Sequence, residues 1–320
     1  MSSPSMQNEY PIELVGPDIA AYEASNIGIP YISSFEASRP GPHVMISAVV
    51  HGNEPAGAVA IDWLMREKIR PSRGTLTLAF MNVDAYLRYD PNDPNATRWV
   101  DEDFNRVWAQ DVLDGDRDSS ELRRARKVRP VVASVDYLLD IHTMQHLAPP
   151  VMMAGWLDKG VALARRAGVP ELIIADRGHA AGLRMRDHGA FAEPDAENAA
   201  LLIECGQHWQ ASSADLAIES TVRFLHGLGV IDPAVAESEG WDGPAAPQSH
   251  WVVREAITIE SEHFTFAEKF TGGEILPAAG TLLGHDGDRE VRTPFDDCLL
   301  IMPSKRLWRG QTAVRLAQRG

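Results

Sequence analysis

His51-Gly52-Asn53-Glu54 places an imidazole and a carboxylate three residues apart, where an apolar run ends and a helical pattern begins. A neutral imidazole nitrogen and a carboxylate oxygen both suit zinc. In open α/β sheets ligands gather at the carboxyl ends of strands, so the location fits. Taken alone, a solvated turn explains the pair. Asp140-Ile141-His142-Thr143 offers a second imidazole at the end of the run VDYLLDIH. Period-two alternation puts Asp140 and His142 on one face, where the carboxylate can orient the ring as metal-bound histidines require. The plain alternative is a capped strand end. Leu201–Gly206 (LLIECG) carries Glu204 at the end of an apolar run. A carboxylate there is costly to bury unless it is paired or raised in pKa, and such a group suits a general base acting on a metal-activated water. A salt-bridged strand terminus would give the same pattern. The adjacent Cys205 reads as core filler, because nothing near it would activate a thiolate. Thr97–Arg106 (TRWVDEDFNR) gathers Arg98, Asn105 and Arg106 in an acidic chain. Arginine binds carboxylates through paired hydrogen bonds and can stabilise an oxyanion. The competing explanation is a surface ion-pair cluster with Asp101, Glu102 and Asp103. His146, His179, His188 and His208 have no comparable case.

Elements to position these residues are visible in the pattern. His43–Val50, Thr75–Asn82, Val135–Ile141, Glu171–Ala175 and Ala199–Cys205 read as buried strands. Between the first two, Ile61, Leu64 and Met65 mark one face of a helix over Ala56–Ile69, with Pro55 suited to its first turn. Ser212 or Ser213 is expected to cap a helix that runs to about His226 and stops at Gly227 and Gly229. Ala125–Ser134 is helical in pattern, with a kink or boundary expected at Pro130. Tyr89–Thr97 is a loop rich in Pro, Asn and Asp. The alternation predicts a mixed, largely parallel sheet with helices on both faces. Glu237–Ser249 (ESEGWDGPAAPQS) reads as a linker. Beyond it, Val252–Ile259, Thr281–Leu283, Cys298–Met302 and Thr312–Leu316 read as short strands. The expected organisation is therefore a catalytic domain over 1–236, a linker over 237–249 and a small β-rich C-terminal domain over 250–320.

Composition narrows the function classes. The 320 residues include 30 Lys plus Arg and 45 Asp plus Glu, a formal charge of −15. So acidic a surface repels phosphate backbones and anionic lipid, which argues against nucleic-acid and membrane partners. The longest apolar stretch free of charge and histidine, Leu147–Leu157, contains two prolines and falls short of the roughly 20 residues a membrane span needs. Met1–Ile12 has no basic and apolar secretory pattern, so a cytoplasmic location is expected. Two cysteines, Cys205 and Cys298, can build neither a disulfide scaffold nor a Cys-based zinc site.

Together the four motifs are far more specific than any one. HGNEP at 51–55, TRWVDEDFNR at 97–106, DIHT at 140–143 and IECGQ at 203–207 resemble the succinylglutamate desuccinylase/aspartoacylase family of the zinc carboxypeptidase superfamily. The resemblance covers roughly Gly41–Leu228, and the β-rich tail fits the family's C-terminal domain more loosely. It implies His51, Glu54 and His142 as ligands of one zinc ion per chain. It implies Glu204 as the general base that passes a proton from water to the leaving amine, and Arg98 as the group that polarises the scissile carbonyl. Asn105 and Arg106 would hold the substrate's carboxylate. Two histidines and one carboxylate leave a position open for water, as a hydrolytic site requires. The chain departs from the family in two places. It has no tyrosine after Tyr137 to serve as the family's late pocket donor, and Phe191–Ile203 lacks the arginine that aspartoacylase-like members carry before the catalytic Glu. Arg184 and Arg186 are the nearest replacements.

The expected activity is zinc-dependent hydrolysis of the amide bond of a small-molecule N-acyl amino acid. A carboxypeptidase acting on peptide C-termini shares all the core residues and is the second reading. A non-catalytic binding protein on the same fold is the third. Cobalt or manganese would also suit the ligand set. The acyl group, the amino acid and any homo-oligomer are left open.

Overall fold

The computed structural model describes residues 10–178 and 181–320. His179 and the first nine residues of the expected non-secretory N-terminus lie outside the described residues. The elements run β1 (Ile32–Glu36), β2 (His43–Ala48), α1 (Pro55–Arg66), β3 (Thr75–Phe80), α2 (Val83–Tyr86), α3 (Gln110–Asp114), α4 (Ser120–Val132), β4 (Tyr137–Met144), β5 (Val151–Met153), α5 (Asp158–Ala167), β6 (Leu172–Ala175), β7 (Ala199–Gln207), α6 (Ala211–Gly227) and α7 (Pro233–Glu239). The strands β8 (Ser249–Thr258), β9 (Phe264–Phe266), β10 (Ile275–Leu276), β11 (Leu282–Asp286), β12 (Arg289–Arg292), β13 (Cys298–Ile301) and β14 (Thr312–Arg319) follow.

An 11-stranded mixed sheet has the order β1-β3-β2-β4-β7-β5-β6-β8-β14-β13-β10, and β12-β11-β9 form a small antiparallel sheet. The strands β3, β2, β4 and β7 pair in parallel, while β5 runs antiparallel to β7. Alternation along β2 shows the layering. Val44, Ile46 and Ala48 pack with Ile61 and Leu64 of α1 and Leu225 of α6, whereas Met45 packs with Leu122, Ala125 and Val128 of α4. Helices thus cover both faces, and each fully buried aliphatic side chain contributes about 1.5–3 kcal/mol of transfer energy.

The C-terminal strands join the same sheet. The strand β8 pairs in parallel with β6, from Leu172↔Ser249 to Ala175↔Val252. Leu299, Ile301 and Ala317 share a core cluster with Val151, Met153, Ile174 and Leu202. On the other side, Ile257, Leu283, Val291, Leu300, Val314 and Leu316 form the cluster between the two sheets.

Several boundaries differ from the sequence reading. The strands β4 and β7 continue to Met144 and Gln207, so His142 and Glu204 lie within strands and not at their ends. The helix α6 starts at Ala211 with no side-chain cap; Ser213 Oγ donates instead to the carbonyl of Gln207 at 2.7 Å. Pro130 does not divide α4, which runs on to Val132 and starts at Ser120 behind the Ser119 cap. The ring costs the helix one bond, the N–H that would donate back to the carbonyl of Arg126, and only two helical residues follow it. Among the described residues no helix is long and apolar enough to cross a membrane.

Candidate metal centre and active site

The turn after β2 delivers the first motif. Val49 is buried and adopts φ 54°, a left-handed conformation that is strained for a β-branched residue. Gly52 follows, and its N–H donates to the carbonyl of Arg98 at 3.0 Å. A Cβ at Gly52 would lie 2.4 Å from the carbonyl oxygen of Thr97, so only glycine lets the two motif loops meet. Pro55 then opens α1.

His51, Glu54 and His142 are buried, and one ligand atom from each lies within 4.8 Å of the others. The Nδ1 atoms of both rings face Glu54: His51 Nδ1 lies 2.7 Å from Oε1 and His142 Nδ1 3.0 Å from Oε2. The outward nitrogens meet carboxylates, His142 Nε2 at 2.9 Å from Asp140 and His51 Nε2 at 3.0 Å from Asp103. Asp140 is itself fixed by Ser47 Oγ, which donates at 2.6 Å. Histidine ligands are oriented in this way, with the far nitrogen bonded to a carboxylate so that the near one is free to bind. Burial alone would raise the Glu54 carboxyl, but the two imidazoles outweigh it and hold the group well below its ordinary range. The donor set of two imidazoles and one carboxylate fits zinc.

The same cavity, about 430 Å³, is lined by His51, Glu54, Arg98, Asn105, Arg106, His142 and Glu204, the residues expected to bind metal, act on the substrate or hold it. Glu204 lies beside His142 in the parallel β4–β7 register. Its Oε2 is buried and has no hydrogen-bond partner among the described residues. Burial pushes its carboxyl up to about 8, against the pull of His142. Arg98 Nη1 lies 3.2 Å from Glu54 Oε1, and Arg98 Nη2 lies 2.9 Å from His51 Nε2. Asn105 Oδ1 accepts from Met185 N–H at 2.9 Å, which fixes its amide. Arg106 Nη1 donates to the carbonyl of Asn105 at 2.7 Å. Such an arrangement can hold a divalent cation, donate to a carbonyl oxygen and move a proton.

Of the two arginines considered as replacements, Arg184 lines the cavity and Arg186 does not. Arg184 is bonded to Asp176 and Asp187, both at 2.8 Å. Two positioning acids were not foreseen. Asp103, read only as a surface partner, bonds His51 and accepts Asn105 N–H at 2.9 Å. Glu121 is fully buried and accepts four hydrogen bonds: from Asn82 Nδ2 at 3.1 Å and from the backbone N–H groups of Val100, Asp101 and Glu102 at 2.7, 3.1 and 3.3 Å. It clamps the loop that carries Arg98 and Asp103. Its partners are main-chain groups, which leave no trace in residue type. Arg306, Gln311, Thr312 and Arg315 reach the cavity from the C-terminal segment, a placement set by sheet pairing and invisible to local pattern.

Residues 40–224 match the family model described as the succinylglutamate desuccinylase/aspartoacylase catalytic domain. A comparison with curated proteins finds no match. Among solved structures, succinylglutamate desuccinylase from Vibrio parahaemolyticus is similar at TM-score 0.66 and 16% identity, over 91% of this chain and 86% of that one. The succinylglutamate desuccinylase/aspartoacylase from Rhodobacter sphaeroides gives 0.62 and 18%, over 90% and 88%. The product-bound ectoine utilization protein EutE from Ruegeria pomeroyi gives 0.59 and 16%, over 89% and 87%. These likenesses show a shared fold.

Proposed function

We propose, proceeding from the fact that this chain belongs to the succinylglutamate desuccinylase/aspartoacylase family, that it is a zinc-dependent hydrolase of the amide bond of a small N-acyl amino acid. The observation that carries the reading is the buried His51, Glu54 and His142 trio with the unbonded Glu204 Oε2 on the neighbouring strand. Zinc held by the trio would supply Lewis acidity and a water of pKa lowered to about 7. Glu204 then takes the proton of the attacking water at Oε2 and hands it to the leaving amine. A carboxyl raised by burial is suited to both halves of that transfer. Arg98 donates to the carbonyl oxygen as negative charge develops there. Asn105 and Arg106 hold the carboxylate of the amino acid. In this reading residues 1–236 carry the chemistry, 250–320 wall the cavity and 237–249 link them.

Amine release from a panel of N-acyl amino acids and short peptides, with and without chelator, tests the proposal. Chelator-sensitive release from an N-acyl amino acid is expected, and Glu204→Gln should keep its metal while losing at least about a hundredfold in turnover. Near-parental turnover of metal-loaded Glu204→Gln would remove its role. Release from peptide C-termini alone would make the protein a carboxypeptidase.

A further inference from the structure

A second cavity, of about 190 Å³, lies at the other end of β7. Glu204 lines the metal cavity, while Ala199 and Ala200 line this one, with Ala200 about 13 Å back along the strand. No described residue lines both. The strands β5 and β6 pair in parallel and α5 connects them, so their carboxyl ends and the start of α5 meet here. Gly155 and Asp176, just past the two strands, and Leu157, just before α5, all line the recess. Such a crevice of a βαβ unit presents first-turn N–H groups to a ligand. The helix starts with no side-chain cap.

Two polar groups of the recess are unmatched. Arg186 is buried and pairs with Asp187 through Nη2, yet its Nε has no hydrogen-bond partner among the described residues. Asp176 is buried as well. Its Oδ1 accepts from Arg184 at 2.8 Å, whereas its Oδ2 has no partner among the described residues. The two side chains are close, with Arg186 Nη2 4.0 Å from Asp176 Oδ1. Burial would raise the Asp176 carboxyl, but Arg184 and Arg186 outweigh it and hold the group below its ordinary range.

The surroundings are shaped to these groups. Gly155 adopts φ 75°, and a Cβ there would lie 2.2 Å from Arg186 Nη1, so glycine lets the guanidinium lie against the chain. Lys159 Nζ donates to the carbonyls of Ala190, Glu193 and Ala196 at 3.0, 2.6 and 3.0 Å, which pins the segment that brings Phe191 and Ala192 to the recess. Exposed Trp156 carries the Arg177 guanidinium 3.5 Å above its ring. The space is well above the roughly 10–15 Å³ that one water needs, and much of the lining is apolar. A simple anion would leave Asp176 Oδ2 unmatched, and a simple amine would leave Arg186 Nε unmatched. One small molecule with both groups serves both.

We propose that this recess is a second small-molecule site, which binds a free α-amino acid with an apolar side chain. The ligand's carboxylate accepts from Arg186 Nε and the start of α5, its ammonium donates to Asp176 Oδ2, and its side chain packs on Leu157 and Phe191. The site does not rest on the deacylase reading, since it shares no described lining residue with the metal cavity.

Isothermal calorimetry of zinc-loaded and chelator-treated protein tests this with L-leucine, 4-methylpentanoate and 3-methylbutylamine. The last two are leucine without its ammonium and without its carboxylate. Leucine should bind at one site per chain in both forms of the protein. It should bind at least about tenfold more tightly than either partial molecule, the scale of one charge-assisted hydrogen bond. Ala192→Trp, at an exposed position, fills the recess and should weaken leucine by a similar factor. Its zinc affinity, read by chelator competition, should stay parental. Asp176→Asn should bring leucine down towards 4-methylpentanoate, and a preference kept in full there overturns the ammonium contact. No saturable heat with leucine up to about 10 mM, equal affinity for 4-methylpentanoate, or affinity unmoved in Ala192→Trp overturns the proposal. Binding confined to the zinc-loaded form places leucine in the metal cavity and overturns it equally.

Discussion

On the cavity wall built by β2, β4 and β7, the functional groups arrive already engaged. His51 and His142 each lie between Glu54 and an outer carboxylate, Asp103 and Asp140, and Arg98 lies against Glu54 and Asp103. On the facing wall, Arg306 and Arg315 of the C-terminal segment have no carboxylate bonded to them among the described residues. The first wall fixes the geometry of reacting atoms before any ligand enters, which is where preorganisation acts. The second leaves donors open. Substitutions should therefore be felt differently on the two sides.

Three substitutions probe that contrast, in descending order of effect. Asp140→Asn should have the largest. It keeps the side-chain volume but no longer presents a charged acceptor to His142 Nε2 and Ser47 Oγ. Zinc affinity, read by competition with a chromophoric chelator, should fall about 10–100-fold. Unchanged affinity would mean that the paired wall does not set the metal geometry. Glu121→Gln comes next, because an amide cannot accept on both sides of the loop clamp. We expect about 1–3 kcal/mol less stability in denaturant melts. Hydrogen exchange at Val100, Asp101 and Glu102 should become faster, and kcat/KM should drop with it. A stability loss without faster exchange there would assign Glu121 to the core alone. Arg306→Gln should do least. Burial and the neighbouring Arg98 charge hold its guanidinium below the ordinary arginine range, so its removal relieves repulsion. Stability should stay within about 0.5 kcal/mol of parent. A drop of several kcal/mol would show that the open wall is structural after all.

What could be read from the sequence follows the same division. His51, Glu54, His142 and Glu204 stand on or beside long apolar runs, so their location relative to the sheet shows in the pattern. Asp140 was legible as the partner of His142 because both lie on one strand face. Glu121 was not, since its four donors are set by loop geometry and include three backbone groups. Arg315 was hidden for another reason: its strand was visible, but its distance from Glu204 depends on how β8 and β14 join the sheet. The strand β5 has three residues inside the apolar stretch Leu147–Leu157, too short for alternation to show, and it runs antiparallel to β7. The caps of α6 misled because Ser213 already bonds Gln207 within the preceding strand's turn.

The parallel ladder between β6 and β8 has a mechanical meaning. Four residue pairs, Leu172↔Ser249 to Ala175↔Val252, stitch the C-terminal strands to the plate that carries the metal ligands. A lid on a flexible strap can swing; a wall stitched into the same plate cannot swing unless those rungs break. The part of the cavity wall that lies on β14 is then held at a fixed offset from the strands that carry His142 and Glu204. Retuning such a protein for another substrate would mean changing side chains along β14, one alternate position at a time, while the plate behind them keeps its shape.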